Sequence, residues 1–259
     1  MWSAALQELE PASTAGLALE APYYRTDGRY QGNAPFFYDV DALPWARAVR
    51  ESWRVIRREY EDNVRRGSDH VVDVFNPAGP KIPGWRSVNL QTYAWCYHRP
   101  RRAFPLTTGL LDSIPGLTSA FINVLEPQAT IPAHQGDSQA IIRCHLGLDV
   151  PYGDCGVRVG PETRGCSNGN LLAFSDAHEH ASWNHTGERR VVLVFDVLRP
   201  EYRGRERTIC ANVLGATAVI WLETRFRSRV PFAPAVRSAL RRAFGLVFRV
   251  ALPIQRRGR

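Results

Sequence analysis

The chain has one methionine and only one lysine, Lys81, among 33 basic residues. Its positive charge is therefore almost wholly arginine, a skew that points to coding bias rather than chemistry. Cysteines are few and unpaired in pattern: Cys96, Cys144, Cys155, Cys166 and Cys210 form no CxxC pair. Nowhere do about 18 apolar residues run together, which excludes a simple membrane-spanning helix. The opening MWSAALQELEPASTAG has neither a basic start nor a long apolar core, so no secretory signal is expected there. Without an export signal the cysteines read as reduced thiols of a cytoplasmic protein.

What is present is an ordinary folding composition. The 259 residues are 44% hydrophobic, enough for one large domain or two small ones with a sizeable core. The net charge of +8 invites a nucleic-acid reading, but its distribution argues against one. From Arg199 onward there are 14 arginines against three acids, a net of +11, which leaves −3 for the first 198 residues. A mildly acidic body carries a strongly basic tail.

Along the chain, residues 1–40 contain Pro11, Pro22 and Pro35 and read as an extended arm. A helix is expected from Asp41, which can cap it, because Val49, Trp53, Ile56 and Tyr60 recur at helical spacing. Residues 66–105 read as loops with short strands, and a short helix is expected over 106–113. From Ser119 the runs SAFINVLE, AIIRCHLGL, GVRV, NLLAFS and RVVLVFDV are separated by turn residues, the mark of a sandwich or barrel. Residues 212–222 form a short apolar run. Residues 234–251 form an amphipathic helix with Arg237, Ser238, Arg241, Arg242, Gly245 and Arg249 in one arc. Val236, Leu240, Ala243, Phe244, Val247 and Val250 fall in the other. Such a helix either packs on the body or lies on an anionic membrane; a protein or nucleic-acid partner is the lesser reading.

Five of the seven histidines lie between 134 and 185: His134, His145, His178, His180 and His185. Imidazoles inside a β-barrel suit iron, zinc, copper or nickel, and two with open positions suit a non-haem Fe(II) oxygenase. Arg143 lies two residues before His145, so both share one strand face. Arg190 opens an apolar strand, where a charged group calls for an anion, and paired arginines suit a dicarboxylate. The plainer reading pairs Arg143 with Asp137 and Arg190 with Glu188 at the rim.

The segments PQATIPAHQGDSQAIIRCHLGLDVP (127–151), CGVRVGPETR (155–164) and LLAFSDAHEHASWNHTGERRVVLVFDVLRPE (171–201) together resemble the aspartyl/asparaginyl β-hydroxylase family. That family is a branch of the Fe(II)- and 2-oxoglutarate-dependent dioxygenases with a double-stranded β-helix, or jelly-roll, fold. The resemblance implies a mainly β fold with flanking helices, divided into an arm (1–40), a catalytic domain (41–201) and a basic extension (202–259). It implies His134 and His180 as the iron ligands, Arg143 and His145 as partners of the C1 carboxylate of 2-oxoglutarate, and Arg190 as the anchor of its C5 carboxylate. Asn123 stands where the family often has a small hydroxylated residue assisting that anchor. Relatives outside the family place an acid two residues after the first histidine; here that residue is Gly136, which favours two histidines alone over recruitment of Asp137. His178 shares a face with His180 and is expected behind the ligands, and His185 at the surface or facing the substrate.

The chemistry implied is hydroxylation of an unactivated C–H bond with Fe(II), 2-oxoglutarate and O2. FPLTTGLLDSIPGL (104–117) and DVLRP (196–200) look closer to the bacterial lipid-hydroxylating members. The acceptor stays open between an amino-acid side chain and a lipid acyl chain, with peripheral membrane contact through residues 234–251 at the inner face of the cell membrane. The alternative is a non-catalytic jelly-roll binding module.

Overall fold

The computed structural model describes residues 22–67, 70–78, 80–226 and 232–257. Residues 1–21, about half of the arm, lie outside the described residues. The rest of the arm is largely extended and is tied to the body by bridges from Tyr24 to Ser138 and from Phe37 to Phe174. The first helices are α1 (Ala46–Glu51) and α2 (Trp53–Arg65). Asp41 does not cap them: its carboxylate takes the Arg50 guanidinium at 2.5 Å, and the helix begins five residues later. The expected periodicity holds, with Val49, Ile56 and Tyr60 buried.

Next come β1 (Val71–Asp73), β2 (Trp85–Thr92), β3 (Trp95–Cys96), α3 (His98–Ala103) and α4 (Pro105–Asp112). β2 is a full eight-residue strand paired to β4, longer than the Gly- and Pro-broken sequence suggests. Buried Glu59 of α2 accepts hydrogen bonds from the Leu106 and Thr107 backbone N–H groups, both at 2.8 Å. A carboxylate there satisfies orphan donors and the positive end of the helix dipole, fixing where α4 starts.

Eight strands then alternate between two sheets, apart from the β7–β8 hairpin within one of them: β4 (Leu117–Leu125), β5 (Ala129–Gln135), β6 (Ile141–Asp149), β7 (Cys155–Val159), β8 (Glu162–Gly165), β9 (Leu171–Ser175), β10 (Glu179–Asn184) and β11 (Arg190–Leu198). One sheet has the order β1-β2-β4-β11-β6-β9, with β3 also on β2; the other has the order β5-β10-β7-β8. All the pairings are antiparallel. This is the jelly roll. The strands β5 and β10 carry His134 and His180, yet their sequences lack a clean apolar alternation and fall outside the expected strand runs.

Every residue of β11 is buried, because this strand sits between a helical layer and the barrel interior. Val191, Leu193, Phe195 and Val197 join α1, α2 and α4 residues in the main core. The intervening positions, Arg190, Val192, Val194 and Asp196, face inward by strict alternation.

The chain ends in α5 (Glu206–Arg225) and α6 (Pro234–Arg257). α5 absorbs the 212–222 apolar run and buries Ile209, Cys210, Ala211 and Val213 against Tyr24, Tyr93 and Leu198. α6 crosses α5 closely at Gly215, where a Cβ would lie 2.5 Å from the Arg241 carbonyl oxygen. Its buried face is mixed: Arg237, Arg241 and Gly245 meet the body together with Phe248 and Leu252, while Arg242 and Arg249 stay exposed. Arg237 pairs with Glu223 at 3.0 Å, and Arg241 donates to Asn212 at 3.0 Å and stacks over Tyr24 at 4.4 Å. No helix of the described residues is long and apolar enough to cross a membrane.

Candidate active site

His134 on β5 and His180 on β10 are direct cross-strand partners. Adjacency of this kind brings side chains together across a sheet, and the two imidazole centroids are 4.3 Å apart. Each ring is oriented the same way. The Nδ1 of His134 meets the Pro132 carbonyl at 2.8 Å, and the Nδ1 of His180 meets the His178 carbonyl at 2.8 Å. A carbonyl only accepts, so both Nδ1 atoms carry the proton and both Nε2 lone pairs are free for a metal.

Burial lowers the pKa of both imidazoles, that of His180 furthest, with the neighbouring His134 and Arg143 adding to the effect there. His145, half-buried on β6, is likewise held well down, first by desolvation and then by Arg190 and Arg143. All three therefore stay neutral below the ordinary histidine value of 6.5. An unfolded chain would bind protons as pH falls through 6.5 while the native state would not, so stability drops on the acid side. The metal-free protein is expected to lose on the order of 1 kcal/mol per pH unit for each of His145 and His180 below about pH 6.5. Buried Asp176, pushed up to about 7, takes up a proton in the folded state over the same range and offsets roughly one histidine's share. A thermal midpoint measured from about pH 6.5 to 5 should therefore fall with a net slope near that of one group; a midpoint that rises on acidification would contradict neutral imidazoles.

The inner face of the larger sheet carries the other expected residues. Asn123 on β4 lies opposite Val192, His145 on β6 opposite Val194, and Arg143 opposite Asp196. Alternation thus points Asn123, Arg143, His145 and Arg190 into the barrel. His145 packs edge-on against Phe174 at 5.1 Å, and its Nδ1 is buried without a hydrogen-bond partner.

Arg190 is 2% exposed. Its Nη1 donates to Ser182 Oγ at 2.8 Å, the Trp183 carbonyl at 2.9 Å and the Gly156 carbonyl at 3.3 Å, while Nε has no partner. Among the described residues no carboxylate pairs with it; Glu188 does not. A buried guanidinium without a counter-charge is costly unless an anion joins it.

Arg143 is situated differently. Its Nε and Nη2 form a fork on Asp196 at 2.8 and 2.9 Å, and its Nη1 lies 2.7 Å from Asp176 in an ion pair without hydrogen-bond alignment. The rim pairing with Asp137 is not formed; the Asp137 carboxylate accepts from the Tyr93 hydroxyl and lies 3.9 Å from Arg25. Two buried aspartates thus share one guanidinium. Desolvation, opposed by Arg143 and reinforced by Asp196, pushes Asp176 up to about 7.

Asp176 also accounts for the glycine at position 136. The Gly136 N–H donates to the Asp176 carbonyl at 2.9 Å, and the Asp137 N–H to its carboxylate at 2.8 Å. A Cβ at position 136 would lie 2.1 Å from Asp176 Cγ, so the backbone runs too close for any side chain. Among the described residues no set of three His, Cys, Asp or Glu converges as a metal site.

His178 stands behind the His180 imidazole, but through its backbone: its ring turns away between Tyr30 and Phe36 and bonds the Ala34 carbonyl at 2.7 Å. His185 lies at the surface with Asp154 at 2.9 Å and Thr130 at 3.1 Å. Sequence reasoning missed Asp196, Asp176 and Ser182. Asp196 left a signal, an acid in an apolar strand at the same parity as Arg190. Ser182 left none beyond its parity with His180.

The profile of the aspartyl/asparaginyl β-hydroxylase family matches residues 50–200, more than half of the sequence. The chain belongs to this family. An ornithine lipid ester-linked acyl 2-hydroxylase of Rhizobium tropici is 32% identical over 65% of this chain and 62% of its own length. The human aspartyl/asparaginyl β-hydroxylase is 24% identical over 66% of this chain and 25% of its own. Human aspartate β-hydroxylase domain-containing protein 2 is 35% identical over 48% of this chain and 36% of its own. The match therefore spans less than two thirds of these relatives. A cupin-2 domain of Rhodospirillum rubrum covers 50% of this chain and 69% of that one at 9% identity, with a TM-score of 0.33, a likeness too loose to carry an argument.

Proposed function

We propose that this member of the β-hydroxylase family is an Fe(II)- and 2-oxoglutarate-dependent dioxygenase that hydroxylates the acyl chain of a lipid. The observation that carries the cofactor assignment is Arg190, a buried guanidinium with an unspent Nε, inside the same barrel as two imidazoles whose Nε2 atoms are free. In this reading His134 and His180 hold iron, and Arg190 receives the distal carboxylate of 2-oxoglutarate with Asn123 alongside. His145 and the N–H groups that Arg143 leaves unspent on its two aspartates face the C1 carboxylate. The bound iron, with 2-oxoglutarate and O2, supplies the oxidising power that turns a C–H bond into C–OH.

The chain's own residues do the rest. Carbonyls of Pro132 and His178 fix the imidazole tautomers, Ser182 steadies Arg190, and Phe121, Phe174, Val192 and Val194 keep the interior apolar. The acyl-chain acceptor is supported by the Rhizobium tropici relative and by the basic tail, which fits peripheral contact at the inner face of the cell membrane.

An anaerobic visible-absorption titration of the purified protein with Fe(II) and 2-oxoglutarate tests this. A charge-transfer band that needs both additions is expected. Folded protein that gives no band would overturn the assignment and favour the binding-module reading.

A further inference from the structure

α6 packs Phe248 and Leu252 on the body but turns a second row of apolar side chains outward. The arc built of Arg237, Arg241 and Gly245 lies against α5 and residues 24–27, with Arg241 3.7 Å from Asp27. The opposite arc faces solvent: Val236 is 45% exposed, Leu246 64%, Val247 65%, Val250 65% and Ile254 68%. This stripe runs for about 27 Å at about 1.5 Å per residue, with Ala239 and Ala243 exposed between its larger members. Exposed Arg242 and Arg249 flank it. Trp221 and Phe226 are also exposed, where α5 leads towards α6. Apolar side chains in such a row mark a surface that something covers.

We infer that the outward face of α6 docks on an anionic bilayer surface, with Val236, Leu246, Val247, Val250 and Ile254 entering the acyl boundary and Arg242 and Arg249 meeting headgroup phosphates. This deepens the proposed lipid chemistry, but it rests on the helix alone. Charge selects the occupant. The exposed charges beside the stripe are Arg242 and Arg249, and α6 has no acid, so a second copy of the same face would set arginine against arginine without the complementary charges that paired helices use. A single convex helix offers no groove for a peptide, whereas apolar side chains beside arginine, with aromatics nearby, suit a headgroup layer. The acidic body and basic hairpin also orient approach, helix first. α6 lies one layer from the candidate site: Arg241 stacks on Tyr24, and the next residue's N–H, that of Arg25, bonds the Asp137 carbonyl at 3.1 Å.

The test is flotation of the full chain with vesicles of phosphatidylcholine, with and without phosphatidylglycerol, alongside the Fe(II)/2-oxoglutarate band and light scattering. Binding to the phosphatidylglycerol vesicles is expected, weakened by salt. Val247→Asp with Val250→Asp should cut the partition coefficient about tenfold or more, and Arg242→Gln with Arg249→Gln about thirtyfold. Both pairs are solvent-exposed, so folding and the band should persist. Folded protein that ignores both vesicles, vesicle binding that neither pair changes, or a dimer broken by the valine pair would each overturn the inference. Unaltered protein that gives the band but does not float with the vesicles refutes the docking alone; unaltered protein that floats but gives no band refutes the chemistry alone.

Discussion

His134→Ala and His180→Ala are each expected to take turnover to background and to weaken Fe(II) binding by more than the roughly 10–100-fold that follows from disturbing a ligand's supporting partner. With no third protein ligand converging among the described residues, removing one imidazole leaves a single donor. The effect should be cleaner at His134, which is half-exposed on β5, than at His180, which is buried and packed against Phe174 at 5.3 Å. Calorimetry with Fe(II), beside a thermal melt, separates lost ligation from lost folding. Full activity in either folded variant would remove that histidine from the metal site. Both rings are steered by backbone carbonyls, so no substitution elsewhere deletes their orienting partners.

Arg190→Ala should raise the apparent KM for 2-oxoglutarate about a hundredfold or more, since stripping one partner from a buried charged pair costs about 2–5 kcal/mol. Arg190 also ties β11 to Ser182 and Trp183 of β10, so the alanine variant should melt earlier as well. Arg190→Lys is the informative companion. It keeps the charge but cannot form the two-pronged contact, so it should fold better than the alanine variant and still bind the oxoacid poorly. Fe(II) affinity measured without 2-oxoglutarate should change little in either. If oxoacid affinity were unchanged in both, Arg190 would not be its anchor.

The barrel and its inward residues are legible in the sequence because alternation is a local property. Once 190–198 is a strand, Arg190 and Asp196 must share the face of Val192 and Val194. Partners depend on register instead. That Arg143 meets Asp196 follows from β6 lying beside β11, and that it meets Asp176 follows from the path of the chain after β9; neither leaves a trace in spacing. The same holds for α6. Its two arcs are plain from periodicity, but which face meets the body is decided by Glu223, Asn212 and Tyr24, residues distant in the chain. The two strands that carry His134 and His180 are hidden because Pro132 and a register shift between His180 and Ser182 break the alternation that would mark them.

The contact between Gly136 and Asp176 also limits what descendants of this chain can become. An acid at position 136 is one substitution away on paper, yet its first carbon would land on the Asp176 carboxyl. Clearing that space by shortening Asp176 removes one of the two counter-charges of Arg143. A lineage that sought a third ligand there would have to change both positions at nearly the same moment, passing through intermediates that crowd the Asp176 carboxyl or lose its bond to the Asp137 N–H. If His134 and His180 hold a metal, that centre is hard to extend by single steps.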